Sequence, residues 1–127
     1  MTVNGLDHVN IRTVSMSETV RFFTDVLELT AGPPISGLDP ARYTWIYDGT
    51  GRALFHLDSA PARGSGDTGP LDHVALDCSG HDAMTARLDR LGIAYRCNHV
   101  VASDLKQVFV TEPNGILLEL NFRSGRH

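Results

Sequence analysis

Cysteine is scarce in this 127-residue chain: Cys78 and Cys97 are the only two, and they do not stand in CxxC spacing. A disulfide framework and a paired-cysteine metal or redox motif are both excluded. The two thiols read as buried or idle, in keeping with a reducing compartment. No apolar run approaches the roughly 18 residues that a membrane span needs. No basic segment followed by an apolar stretch opens the chain, so a secretory signal is not expected. Basic residues are in deficit, eleven Lys and Arg against fifteen Asp and Glu, for a formal net charge of −4. That balance argues against a nucleic-acid footprint, which wants a basic face. What is present, 42% hydrophobic and 20% charged residues, is too apolar for a disordered chain. At roughly 100 to 200 residues per domain, it makes one compact unit or two small halves sharing a core. The expectation is a cytoplasmic globular protein with no membrane or nucleic-acid partner.

The chain reads twice. Leu6-Asp7-His8-Val9-Asn10-Ile11 recurs 65 positions later as Leu71-Asp72-His73-Val74-Ala75-Leu76. A helical stretch follows each copy. In the first, Ser17 precedes Val20, Phe23 and Leu27, spaced as one buried stripe. In the second, Asp82 is a candidate cap for a helix with the stripe Met84, Leu88 and Leu91, stopped by Gly92. Both copies then turn strand-like. The first gives Tyr43–Tyr47, a turn at Asp48-Gly49-Thr50-Gly51, and Ala53–Leu57; the second gives Val108–Thr111, a turn at Glu112-Pro113-Asn114-Gly115, and Ile116–Leu120. A weaker strand is expected before each hairpin, near Leu29–Gly32 and near Ala94–Val100. The fold class is therefore α+β, two tandem βαβββ modules over about 5–58 and 70–122. A Gly-, Pro- and Ser-rich linker at 59–69 joins them into one domain whose curved mixed sheet surrounds a cavity.

Strand alternation then places four polar residues. His8, Asn10 and Arg12 share one face of the opening strand, with Asp7, Val9 and Ile11 on the other. His73, Ala75 and Asp77 share a face of its counterpart. His8 precedes His56 by 48 positions and His73 precedes Glu119 by 46, so a pseudo-twofold brings two equivalent pairs toward one axis. Three imidazoles and a carboxylate suit a divalent metal. Taken singly, each His is also readable as a half-buried hydrogen-bonded residue, and Glu119 as an outward-facing strand residue. It is their placement in a duplicated pattern that favours the metal.

Four segments carry a resemblance to a known family: Leu6–Val9, Phe22–Leu29, Leu71–Val74, and Glu112-Pro113-Asn114-Gly115 running on to Glu119. Together, and in this order, they resemble the vicinal oxygen chelate superfamily of glyoxalase I, extradiol dioxygenases, methylmalonyl-CoA epimerase, and fosfomycin- and bleomycin-resistance proteins. The resemblance covers nearly the whole chain. It implies a glyoxalase/dioxygenase-like fold, a homodimer, a small-molecule substrate, and one divalent ion (Zn, Ni, Mn or Fe) held by His8, His73 and Glu119. His56 stands at the family's fourth position, as a fourth ligand or an acid–base group. Three neutral imidazoles and one carboxylate leave about one positive charge on a divalent ion, which favours Lewis acidity.

The resemblance implies a glyoxalase-like lyase or isomerase, working by oxygen chelation with proton transfer or C–X cleavage through a metal-stabilised enolate. An extradiol-type non-haem iron dioxygenase of a catecholic substrate is the alternative. Against it, the Tyr of that family's signature is Phe109 here, and His99 fits the position of its earlier His poorly. A small-molecule sequestering protein of the bleomycin-resistance type is the second alternative. Glyoxalase I has Glu where His56 stands and a glutathione-contacting Asn near Ala60. Its Arg that meets a glutathione carboxylate corresponds to Arg12, which also reads as an ion-paired residue. Asn10, Arg12, Trp45, Phe109 and Asn121 are the remaining candidates for substrate contact, with Arg63 on a flexible rim. Tyr43, Trp45 and Tyr47 form either core packing or an aromatic substrate platform.

Overall fold

Each copy of the repeat builds the same four-stranded sheet. The computed structural model describes residues 1–33, 37–62 and 67–125, so positions 63–66 of the expected linker, Arg63 among them, lie outside the described residues. The chain divides into two units, Met1–Gly64 and Ser65–His127.

In the first unit, β1 (Val9–Thr13) leads into α1 (Met16–Arg21), followed by β2 (Thr30–Gly32), β3 (Tyr43–Tyr47) and β4 (Ala53–Ser59), in the sheet order β1-β4-β3-β2. In the second, β5 (Val74–Cys78) leads into α2 (His81–Arg90), followed by β6 (Arg96–Val100), β7 (Leu105–Thr111) and β8 (Leu117–Arg123), in the order β5-β8-β7-β6. In both sheets the first strand pairs parallel with the last, and the other pairs are antiparallel. A parallel pair needs a crossover, which the helix supplies, while short turns join β3 to β4 and β7 to β8. Among the described residues no helix is long and apolar enough to cross a membrane.

The β-branched and aromatic strand residues sort by parity. In the first unit Ile11, Ile46, Phe55 and Leu57 are buried together with Phe22, Phe23 and Val26. The Phe23 ring lies 4.7 Å from that of Phe55, which seats the helical stretch on this face. Past Arg21 the helix widens over Phe22–Val26, where Leu27 N–H reaches back to the Phe22 carbonyl, and Thr24 Oγ1 donates to the Val20 carbonyl. The wider turn shifts the side-chain phase, so that two consecutive aromatic residues both face inward. In the second unit Val108, Val110, Leu118, Leu120 and Phe122 are buried, as are Met84 and Leu88 of α2.

Several local expectations need correction. Gly80, in left-handed conformation, precedes α2, and Asp82 lies in the first turn bonded to His81, so it does not cap the helix. Leu91 follows the helix and is exposed, so the buried stripe stops at Leu88. α1 begins at Met16, which puts Ser17 inside it. Cys97 is exposed on β6 rather than buried, whereas Cys78 is half-buried. Burial pushes the Cys78 thiol up to about 11.

Both hairpin turns use one device. Asp48 Oδ1 accepts the N–H of Thr50 at 2.8 Å and of Arg52 at 3.0 Å; Glu112 Oε1 accepts that of Asn114 at 2.6 Å and of Ile116 at 3.0 Å. In each, the glycine three residues on, Gly51 or Gly115, has positive φ and donates its N–H to the acid's own carbonyl. The acidic residue of Glu112-Pro113-Asn114-Gly115 is thus a structural clamp, with only 2% of its surface exposed.

Candidate functional site

The face of each sheet turned away from its helix carries the polar residues. In the first unit, strand register puts Asn10 and Trp45 on either side of His56, and Arg12 and Tyr43 on either side of Asp58. In the second, Ala75 and Phe109 flank Glu119, and Asp77 and Gln107 flank Asn121. His56 and Glu119 are therefore equivalent by register, as the duplication implied. So are Trp45 and Phe109, and Asn10 and Ala75.

His8 and His73 stand one residue before their strands, and each imidazole is held by the residue preceding it. Asp7 Oδ1 lies 3.1 Å from His8 Nδ1, and Asp72 Oδ2 lies 2.8 Å from His73 Nδ1. Alternation alone places Asp7 on the opposite face from His8. Extended pairing begins only at Val9, so the Asp side chain is free to fold back onto the ring. An ionised carboxylate accepts only, so each ring in its neutral form carries its proton on Nδ1 and presents the Nε2 lone pair. A metal-ligating imidazole is oriented in the same way, with its other ring nitrogen bonded to a carboxylate. The hydrogen bond to Asp72 also raises the His73 pKa, with Glu119 adding to it.

Glu119 is one-seventh exposed, with Oε2 3.8 Å from His73 Nε2. Amides hold it on both oxygens: Gln107 Nε2 donates to Oε1 at 3.1 Å and Asn121 Nδ2 to Oε2 at 3.0 Å. Gln107 Nε2 also donates to Asn121 Oδ1, and its own Oε1 accepts from Asn98 at 2.8 Å. Asn121, a substrate candidate, is thus buried as a support for the carboxylate. Gln107, on the same strand face as Phe109, is a second support.

His56 lies in a column of rings, with Trp45 stacked at 4.3 Å and 9° on one side and Tyr43 at 5.0 Å and 28° on the other. His8 meets Trp45 edge-on at 4.7 Å and lies 6.0 Å from His56, centre to centre. Asn10 Nδ2 donates to His56 Nδ1 at 2.9 Å, so this substrate candidate is engaged with the imidazole. Burial, and then repulsion from His8, lower the His56 pKa, which leaves the ring neutral near pH 7. Trp45 is buried, while Phe109 is half-buried with the Arg96 guanidinium 4.2 Å above its ring.

Arg12 Nε is 3.9 Å from Asp58 Oδ2, and Arg42 Nε donates to Asp58 Oδ1 at 2.9 Å. His99 is bonded to Asp104 at 2.8 Å. Among the described residues no three His, Cys, Asp or Glu side chains gather as a ready ligand cluster; each unit offers a pair. Two Asp-supported imidazoles with Nε2 free, and a carboxylate held by amides, suit a divalent ion in donor type. The Asp7 and Asp72 supports were visible in the sequence only as part of the repeated Leu-Asp-His-Val.

The family model of the Glyoxalase/Bleomycin resistance protein/Dioxygenase superfamily matches residues 5–120. Among solved structures, a glyoxylase/bleomycin resistance protein/dioxygenase domain from Frankia sp. EAN1pec superposes with a TM-score of 0.75 at 16% identity, covering 99% of this chain and 96% of that one. The genomically encoded fosfomycin resistance protein FosX from Listeria monocytogenes gives 0.72 at 13%, covering 98% and 97%. A protein described as of the glyoxalase family from Bacillus anthracis gives 0.72 at 20%, covering 98% of each. At these identities the likeness is one of fold. A comparison with curated protein sequences finds no match.

Proposed function

Because this chain belongs to the Glyoxalase/Bleomycin resistance protein/Dioxygenase superfamily, we propose that it is a metal-dependent enzyme of the glyoxalase type, a lyase or isomerase of a small oxygen-bearing substrate. His8, His73 and Glu119 are its ligands for one divalent ion, Zn, Ni, Mn or Fe. The observation that carries this reading is the repeated Asp–His pair, which turns Nε2 of both His8 and His73 outward as a lone-pair donor. When bound, the ion supplies Lewis acidity toward substrate oxygens. The chain's own residues do the rest. Asp7 and Asp72 orient the imidazoles, Gln107 and Asn121 orient Glu119, and His56, neutral and beside His8, is placed to hold or move a proton. A homodimer acting in the cytoplasm belongs to the same reading.

The dioxygenase reading asks more of the site. Phe109 has no hydroxyl and lies under Arg96, and His99 is occupied by Asp104. The test is metal content by inductively coupled plasma mass spectrometry on protein prepared without a chelating tag. One divalent ion per chain is expected in the native protein, and none in His8→Ala or Glu119→Ala. Native-like metal retention in both variants would overturn the ligand assignment. A protein that takes up no metal yet binds aromatic compounds would be a sequestering module.

A further inference from the structure

The imidazoles of His8, His73 and His56 are not alike. His8 and His73 give their Nδ1 proton to an Asp and keep a lone pair at Nε2. His56 is held the opposite way. The amide nitrogen of Asn10 can only donate, so Nδ1 of His56 is the acceptor, and the proton of the neutral ring sits on Nε2. That Nε2–H is buried and has no hydrogen-bond partner. The indole Nε1–H of Trp45, which can only donate, is likewise buried and without a partner. No other buried side-chain nitrogen or oxygen among the described residues lacks one, and these two belong to rings stacked 4.3 Å apart at 9°.

An unmade hydrogen bond on a buried donor is costly, and native proteins rarely leave one without a reason. Here two such groups belong to stacked rings and both are donors, so what they lack is an acceptor. We propose that Trp45 and His56 form a two-donor pocket for an oxygen of the substrate, a carboxylate, carbonyl or developing oxyanion. His56 accordingly acts as a hydrogen-bond donor rather than a fourth metal ligand, and Asn10 is the positioning residue that fixes its tautomer. This rests on the functional reading only for its catalytic meaning. Donors aimed at developing negative charge act most strongly where water is excluded, and Trp45 is 96% covered.

Trp45 is the only tryptophan in the chain, so its indole N–H gives a single, assignable resonance. Long-range ¹⁵N–¹H correlation spectra of metal-free protein should show His56 with unprotonated Nδ1 and protonated Nε2, and His8 and His73 the reverse. After zinc loading, His56 should keep its Nε2–H while Nε2 of His8 and His73 takes the shift of a metal-bound nitrogen. Pyruvate, which carries both a carbonyl and a carboxylate, should then move the indole proton downfield with saturation. Trp45→Phe keeps the ring stack and removes one donor, and should weaken pyruvate about fivefold. Asn10→Asp accepts the Nδ1 proton, inverts the tautomer and should weaken it about tenfold. A His56 Nε2 without its proton in metal-free protein would overturn the proposal. So would zinc at His56, or an indole proton indifferent to pyruvate with and without zinc. Because the tautomer is read without metal, a chain that never loads zinc defeats the functional reading alone. A reversed tautomer in a chain that does load zinc defeats only this pocket.

Discussion

Removing the Glu112 carboxylate should unfold the second unit more easily than its place in a turn implies. Oε1 accepts two backbone N–H groups, of Asn114 and Ile116, and Oε2 accepts Asn114 Nδ2 at 2.9 Å. Glu112 is 2% exposed, so water does not reach these donors once the carboxylate is gone. An unsatisfied buried donor costs about 1–3 kcal/mol. Two backbone donors, with partial relaxation of the turn, give an expected loss of about 2–4 kcal/mol for Glu112→Ala. Glu112→Gln retains one carbonyl oxygen for the same two N–H groups and should lose about 1 kcal/mol. Asp48 plays the same part in the first unit with more water around it, so Asp48→Ala should cost less than Glu112→Ala.

Urea unfolding followed by circular dichroism measures these differences. With a slope of about 1–3 kcal/mol per molar urea, the Ala variant should lower the midpoint by about 1–2 M. The turn also sets the pairing of β7 with β8, in which Phe109 opposes Glu119. A loosened turn should therefore weaken zinc as well as stability. Were Glu112→Ala within about 0.5 kcal/mol of the native chain, the range of an ordinary surface substitution, the clamp would not hold the hairpin.

Gln107→Leu removes the amide on Glu119 Oε1 and should lower zinc affinity by about 10- to 100-fold, as loss of a support beyond the ligand typically does; isothermal titration with zinc reads it. Asp72→Asn removes the charge that raises the His73 pKa, so nuclear magnetic resonance titration should find His73 losing its proton at lower pH, and proton competition with metal should begin lower too. Of the two thiols, exposed Cys97 should react with a soluble disulfide reagent at pH 8, and Cys78 only after unfolding. Burial holds the Cys78 pKa near 11, above its ordinary value of 9.0, so the unfolded chain releases this proton first. Stability should thus fall as pH rises from 9 toward 11, by about 1–2 kcal/mol once partial exposure is allowed for.

The repeat was legible because it is carried by side-chain types that act locally: the Leu-Asp-His-Val pair, the turn glycines, and β-branched runs of the right length. Strand parity correctly grouped Asn10 with Arg12 on one face, since alternation holds wherever pairing is regular. It failed at Asp7 and Asp72, which precede the first paired residue and fold onto the neighbouring ring. Strand ends were set short: β4 continues to Ser59 and β7 begins at Leu105, because ladder bonds extend through polar residues whose composition does not read as strand. Asp82 carries the residue type of a cap, but the left-handed Gly80 starts the helix earlier. The roles of Gln107 and Asn121 were out of reach of spacing, because a support is defined by what it touches across strands.

The two copies also explain why one carries His56 where the other carries Glu119. Glu119 has Asn121 two residues on along the same face, and an amide there donates to the carboxylate. His56 has Asp58 in that place, about 6–7 Å along the strand. Asp58 is buried and ion-paired with Arg42, and its negative charge opposes the lowering of the His56 pKa. A carboxylate at position 56 would meet that charge as repulsion, with no amide from Asn121's equivalent to offset it. Two unit charges at this distance and an effective dielectric constant of about 20 repel by roughly 2–3 kcal/mol, and the pairing of Asp58 with Arg42 should reduce this to about 1 kcal/mol. His56→Glu should therefore be destabilising alone and less so with Asp58→Asn, where the new amide can donate as Asn121 does. A double-mutant cycle in urea, also run with His73 and Glu119 intact for zinc binding, measures the coupling. A favourable coupling of about 1 kcal/mol is the expected result. Additive effects would mean that the charge of Asp58 does not select the residue at position 56.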